Sequence, residues 1–208
     1  MTLLLLITIK APAVSTKVLS NYVGSVMILS KSLRGGGTGF HVEAPSGDIY
    51  IMTNKHVCRL SYPVGNYRYV NISIGDKIYR RRVISMMRKA DLCLVEPVYN
   101  SGLNRFDKLK TGDIAISIGF GGLNPASVKQ GVFGSLHRVY ICTMRSPLGC
   151  LEGKSIVADS YNLRVIGGDS GSPILSTTGK LVGVIFAGGP GGSFGVPIKH
   201  VLKFLEDR

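Results

Sequence analysis

An all-β fold, two six-stranded antiparallel barrels in tandem with a C-terminal helix, is what this 208-residue sequence predicts. Three observations lead there. Apolar, β-branched stretches are short and separated by Gly, Pro, Asn and Asp. They fall into two series of about six, divided by turn-rich residues 97–112. Only near the C-terminus does a stretch repeat at the helical period. The composition agrees: 27 Gly, no Trp and 18% charged residues suit a turn-rich β protein better than a helical bundle. The length provides ample core for one large domain or two lobes.

Taken in order, residues 1–16 begin with Met1-Thr2-Leu3-Leu4-Leu5-Leu6-Ile7, an apolar run too short to span a bilayer. Ala11-Pro12-Ala13 resembles a signal cleavage site, but no basic segment precedes the run. The readings are an N-terminal leader, or a β-strand or a cut from a longer chain, the latter slightly preferred. The first barrel is expected over 17–98, with strands at Gly24 to Leu29, Gly39 to Glu43, Ile49 to Thr53, Tyr69 to Ile74, Lys77 to Met86 and Asp91 to Val95. A connector, 99–112, leads to the second barrel and helix, 113–208. Its strands are expected at Ile114 to Gly119, Val128 to Tyr140, Ser155 to Asp159, Pro173 to Leu175, Leu181 to Phe186 and Phe194 to Val196. Pro197 suits a helix start, and Ile198, Val201, Leu202 and Leu205 share one face, as expected of a clasp packed on a barrel. The glycine clusters 35–37 and 188–192 read as mobile loops beside strands. Neither carries the Lys-Ser/Thr of a phosphate-binding loop, which argues against a nucleotide.

The formal charge is +13, concentrated in Arg80-Arg81-Arg82, Arg88-Lys89 and Arg105 to Lys110. Such a surface favours RNA, anionic membranes or acidic peptides; a solvated basic face is the plain alternative. Four cysteines, Cys58, Cys93, Cys142 and Cys150, lack zinc-finger spacing, so no structural metal is expected. Free buried thiols are the expectation for them. The alternatives are a bridge between Cys142 and Cys150, and proximity of Cys58 to Cys93, each two residues beyond a candidate catalytic residue.

The chemistry centres on Gly167-Gly168-Asp169-Ser170-Gly171-Ser172-Pro173, a tight turn ahead of the apolar Ile174-Leu175. A serine hydroxyl is a poor nucleophile unless a base takes its proton and N–H groups hold the oxyanion. The N–H groups of Gly168 and Ser170 are the candidates for that oxyanion site. His56, delivered from a strand end in Thr53-Asn54-Lys55-His56-Val57, is the candidate base, since imidazole exchanges protons near neutrality. Asp91, ahead of Leu92-Cys93-Leu94-Val95, is the candidate that orients it; a plain strand-start acid is the alternative. His41, His137 and His200 lack comparable surroundings, and Asp76, Asp107 and Asp113 read as surface acids. Histidine, aspartate, serine is the chain order of chymotrypsin.

On these residues the chain resembles chymotrypsin-fold serine proteases, and more closely the trypsin-like domain of the HtrA (Deg) group. The resemblance extends over residues 20–207. It is carried by Gly37-Thr38-Gly39-Phe40, Ile51-Met52-Thr53-Asn54-Lys55-His56-Val57, Ala90-Asp91-Leu92-Cys93-Leu94-Val95, Gly112 to Gly119, Gly131-Val132-Phe133-Gly134 and Phe194-Gly195-Val196-Pro197-Ile198. It implies a triad between two barrels and endopeptidase activity on protein or peptide substrates, without cofactor or metal. Two positions depart from the HtrA pattern. Asp169 stands where that group has Asn, and Ser172 where it has Gly, so Gly-Asp-Ser-Gly-Ser-Pro looks more like proteases that cut viral polyproteins. In digestive relatives the Asp before the serine pairs with a freshly cut N-terminus. No Ile-Val-Gly-Gly start occurs here, so Asp169 needs another partner, or solvent. The resemblance also places a substrate pocket at Phe186, Ala187, Gly188 and Gly195, with Arg164 near its floor. An inward Arg164 would favour an acidic or amide residue before the scissile bond; an outward one would not. The expected function is therefore a serine endopeptidase acting on a viral polyprotein or on unfolded proteins. The alternative is a catalytically weak or inactive module of the same fold that binds RNA or acidic membranes through its basic surface.

Overall fold

Alternation along the strands decides which residues turn inward, and the chain uses both faces of several strands. The computed structural model describes residues 26–33, 35–87, 89–146, 149–189 and 192–208, with backbone alone over 141–146 and 149–154. The N-terminal run 1–16 lies outside the described residues.

The first sheet comprises β1 (Val26–Leu29), β2 (Gly36–Glu43), β3 (Ile49–Asn54), β4 (Tyr62–Val64), β5 (Tyr67–Ile74), β6 (Lys77–Met87) and β7 (Leu92–Val95). Its order is β1-β2-β3-β7-β6-β5-β4, and β1 also pairs with β5, Ile28 lying opposite Ile72. The ring thus has six strands. The short β4, which the sequence did not suggest, pairs only with the start of β5. The second sheet is a closed barrel in the order β10-β13-β12-β11-β8-β9. Its strands are β8 (Ile114–Gly119), β9 (Ser127–Ser146), β10 (Gly149–Tyr161), β11 (Pro173–Leu175), β12 (Leu181–Gly189) and β13 (Gly192–Pro197). β9 and β10 are longer than expected and form one extended hairpin. The all-β, two-barrel expectation holds.

The period-2 rule explains the apolar run of β7, all four residues of which are buried. Cys93 and Val95 face a first-barrel core with Val26, Ile28, Ile51, Val70 and Ile72. Leu92 and Leu94 face the other way. With Phe40, Val42 and Met52 they join Ile116, Leu175, Leu181 and Val184 of the second barrel in one continuous cluster. The barrels therefore share an apolar seam, along which their loops meet.

Two helices complete the described fold. The four-residue α1 (Lys55–Cys58) was not foreseen. The terminal α2 (Ile198–Glu206) starts after Pro197 as expected and buries Ile198, Val201, Phe204 and Leu205 against the seam cluster. Phe204 takes the central place expected of Leu202, which is only partly buried. The expectation of free thiols at Cys58 and Cys93 is overturned: they form a disulfide, with Cα atoms 6.5 Å apart. The two proposed catalytic elements, α1 and β7, bring them together. The side chains of Cys142 and Cys150 lie outside the described residues. Between the barrels, Val42 bridges Leu103 and Phe106 bridges Leu181.

Candidate active site

β3 ends at Asn54, and α1 turns His56 out at the rim of the first barrel. Asp91 precedes β7, which lies beside β3 with Asn54 opposite Leu92, so register alone makes His56 and Asp91 neighbours. Asp91 has φ of 55°, a left-handed conformation uncommon outside glycine. Bonds on three sides hold it there. Its carbonyl accepts from Lys55 N (3.0 Å) and Asn54 Nδ2 (3.1 Å). Its Oδ1 accepts from His56 N (3.1 Å), and its Oδ2 lies 2.7 Å from His56 Nδ1. A proton on Nδ1 donates to that carboxylate, which leaves the Nε2 lone pair free. The carboxylate is 16% exposed and the imidazole 43%, so the ring is anchored on one side and open on the other.

Ser170 sits in the turn between β10 and β11. Its carbonyl accepts from Thr38 N of β2 (2.8 Å), which ties the turn to the first barrel. Thr38 Oγ1 donates to Gly168 O (2.8 Å) and accepts from Phe120 N (2.9 Å). Gly171 has φ of +90°, and a Cβ there would collide with Thr38 O and Thr53 Oγ1, so only glycine lets the turn dock this closely. Gly37 is the hinge point of the meeting: a Cβ there would lie 2.6 Å from Val57 Cγ2 and 2.9 Å from Ser170 O. The residue after the histidine and the serine backbone thus close on one glycine. Ser170 Oγ forms no hydrogen bond to the described residues, His56 included.

Within the turn, Asp169 N donates to Ile166 O (3.1 Å) and Gly171 N to Ile185 O (2.8 Å). Among the described residues, neither Gly168 N–H nor Ser170 N–H has a protein acceptor. Gly168 takes φ of +98°. Two unclaimed donors in a glycine turn, one of them the serine's own, are suited to a developing negative charge.

Beside Ser170 opens a cleft of about 200 Å³ lined by Val165, Ile166, Gly167, Asp169, Ile185, Ala187 and Gly188. Of the residues expected to form the pocket, Ala187 and Gly188 line it. Phe186 is buried in the seam cluster, and Gly195 packs on Ile174 and the Tyr161 ring. Arg164 is exposed and outside the lining. Val165, which sequence reasoning passed over, forms the wall opposite Gly188, whose missing Cβ leaves space for its Cγ2.

Sequence reasoning also left Asp169 without a partner. Its carboxylate is 2% exposed and pairs with Lys129 Nζ at 2.7 Å. A single lysine in a β-strand carries no local signal of that role. Thr38 was recognised only as part of a motif, not as the link between barrels. No cluster of His, Cys, Asp and Glu suited to a metal occurs among the described residues.

Comparisons with known proteins identify the family. Residues 37–184 match the family model described as trypsin-like peptidase domain. Probable periplasmic DegP-like serine endoproteases of Chlamydia pneumoniae and Chlamydia trachomatis are 31% and 29% identical over 172 residues, 77% of this chain. The chain spans 30% of the length of each. Among solved structures, the active form of the Rv3671c protease from M. tuberculosis superposes with a TM-score of 0.69 at 22% identity, covering 94% of this chain and 86% of that one. The serine endoprotease of Yersinia pestis gives 0.66 at 16% identity, covering 93% and 66%. The match over most of the chain, together with the His56–Asp91 pair and the Ser170 turn between two barrels, places this protein in the trypsin-like peptidase domain family, with DegP-type serine proteases as its relatives.

Proposed function

We propose that the chain is a serine endopeptidase in which Ser170 attacks, His56 is base and then acid, and Asp91 orients His56. The observation that carries this reading is the bonded His56–Asp91 pair, held beside a Ser170 turn in which Gly168 N–H and Ser170 N–H have no protein acceptor among the described residues. Ser170 Oγ adds to the substrate carbonyl as its proton passes to His56 Nε2. The resulting oxyanion lies against the N–H groups of Gly168 and Ser170, and its collapse expels the amine, which takes the proton from His56. Water then repeats the sequence on the acyl-enzyme. The Val165, Ala187 and Gly188 lining favours a small apolar residue before the scissile bond, without a role for the exposed Arg164.

A fluorophosphonate is expected to label the native protein at Ser170 and to leave Ser170→Ala unlabelled. That variant should lose turnover by on the order of 10⁴-fold or more while melting like the native protein. Cleavage by purified Ser170→Ala would sink the assignment. Digestion of a peptide library in the same experiment should favour Ala or Val before the cut; an acidic preference would return Arg164 to the pocket. Cuts confined to a few sequences would favour polyprotein processing, and broad cleavage of extended chains would favour unfolded proteins.

A recruiting surface is compatible with this activity, and one observation favours it. On the outer face of the first barrel, Tyr69 lies opposite Arg82 and Asn71 opposite Arg80. Arg80 stacks on Tyr69 and Arg82 on Tyr67 at 5.0 and 4.8 Å. Tyr67 and Ile78, on the same face by register, are each 53% exposed. Cations interleaved with exposed aromatic and aliphatic groups suit an anionic lipid surface, since nucleic acid offers little to bury an isoleucine.

A further inference from the structure

The residue before the nucleophile carries a buried charge, and buried ion pairs are poor investments in stability alone. Well-packed apolar side chains of the same volume generally serve as well, so such a pair calls for another account. Here the pair is Asp169 with Lys129, side chains 2% and 15% exposed, 2.7 Å apart. Lys129 extends from β9, where it lies opposite Ser117 of β8, and also donates to Ser127 Oγ at 2.9 Å.

The bonds around Asp169 show what the pair fixes. Its N–H donates to Ile166 O at 3.1 Å, and its Oδ2 accepts Ile166 N–H at 2.8 Å. Backbone and side chain of one residue thereby close the turn 166–169 from both sides. The remaining oxygen, Oδ1, faces the interior, and without a cation it would be a charge with no water to solvate it. Relief would come from swinging the carboxylate out, which breaks the Ile166 bond and rotates the peptides on either side. The peptide after Asp169 carries the N–H of Ser170, and the turn 166–169 that would open carries the N–H of Gly168.

We propose that Lys129 is a positioning residue: its ion pair with Asp169 holds the turn so that Gly168 N–H and Ser170 N–H converge on the oxyanion site. This rests on the serine-endopeptidase reading and deepens it. The cation comes from a strand of the same chain and is already in place, so alignment of the turn needs no cut in the backbone.

The test compares native protein, Lys129→Met, Asp169→Asn and the double variant K129M/D169N, each checked for native circular dichroism at the assay temperature. Lys129→Met is expected to lower kcat about 10²-fold or more, the scale of losing an oxyanion donor, with KM within a few-fold. A peptide boronate, whose tetrahedral adduct uses both donors, should bind it about 10²-fold more weakly, while a product peptide binds as before. Adding Asp169→Asn removes the orphaned charge but keeps an acceptor for Ile166 N–H, so K129M/D169N should regain most of the lost kcat. A folded Lys129→Met with native kcat would overturn the inference. So would equal losses of boronate and product affinity, or a double variant no better than Lys129→Met, since both mark general damage. If the native protein neither cleaves peptides nor reacts with a fluorophosphonate, the endopeptidase reading itself fails, and the brace has no reaction to serve.

Discussion

Asp159, at the end of β10, has its carboxyl pushed up to about 6 by burial, an effect that the Tyr161 hydroxyl at 3.4 Å only partly offsets. The unfolded carboxyl titrates near 3.8, so the folded state disfavours the anion. The sign follows by linkage. This group favours folding fully below pH ~4, and that contribution is lost as pH rises through about 6. Asp159→Asn should therefore raise the melting temperature at pH 7–8, by about 3 °C after discounting for partial exposure, and the gain should vanish near pH 4. Melting curves across that range check it; a gain that persists at pH 4 would contradict the burial argument. At this scale the sequence was legible where residues announce themselves by order and setting. His56 and Asp91 were readable because a strand end and a strand start are paired by register. Lys129 was not, because a cation 40 positions before Asp169 becomes its partner only once β8 and β9 close the barrel. Val165 was not either, since its role depends on facing a glycine without a Cβ.

At the level of elements, α1 and β7 each pair one proposed catalytic residue with one cysteine two positions on. His56 and Cys58 share α1, and Asp91 leads into β7 two residues before Cys93. The sulfur bridge therefore clamps the same two elements that the imidazole–carboxylate bond joins. Replacing both cysteines, as C58A/C93A, should lower the melting temperature by about 10 °C, the effect of releasing a 35-residue loop. Turnover of the folded variant should fall as well. Unchanged melting would show that packing of β7 alone holds the geometry. The bridge was hard to read because buried cysteines in apolar surroundings look alike whether free or bonded. Strand positions were legible from alternation, whereas β4 and α1 are too short to show a period. The outer face of β5 and β6 yields a clean probe, since the chain contains no tryptophan. A Tyr67→Trp variant should shift to the blue on vesicles rich in phosphatidylglycerol, and the shift should disappear at ~1 M salt. No shift, or preferential binding to single-stranded RNA, would remove the lipid reading.

For the whole molecule, the seam matters more than either barrel. The two-barrel architecture was readable from two series of short strands and the turn-rich segment between them. What could not be read was that β2, β3 and β7 bury both faces, so that Phe40, Met52 and Leu94 belong as much to the second barrel as to the first. Across this seam Thr38 uses its amide, to Ser170 O, and its hydroxyl, between Phe120 N and Gly168 O, while its carbonyl accepts from Thr53 Oγ1 (2.6 Å) within the first barrel. A half-built molecule has no such junction. On the proposed reading, hydrolytic power waits until both lobes have closed around one threonine, and an unfinished chain carries no blade to turn on its neighbours.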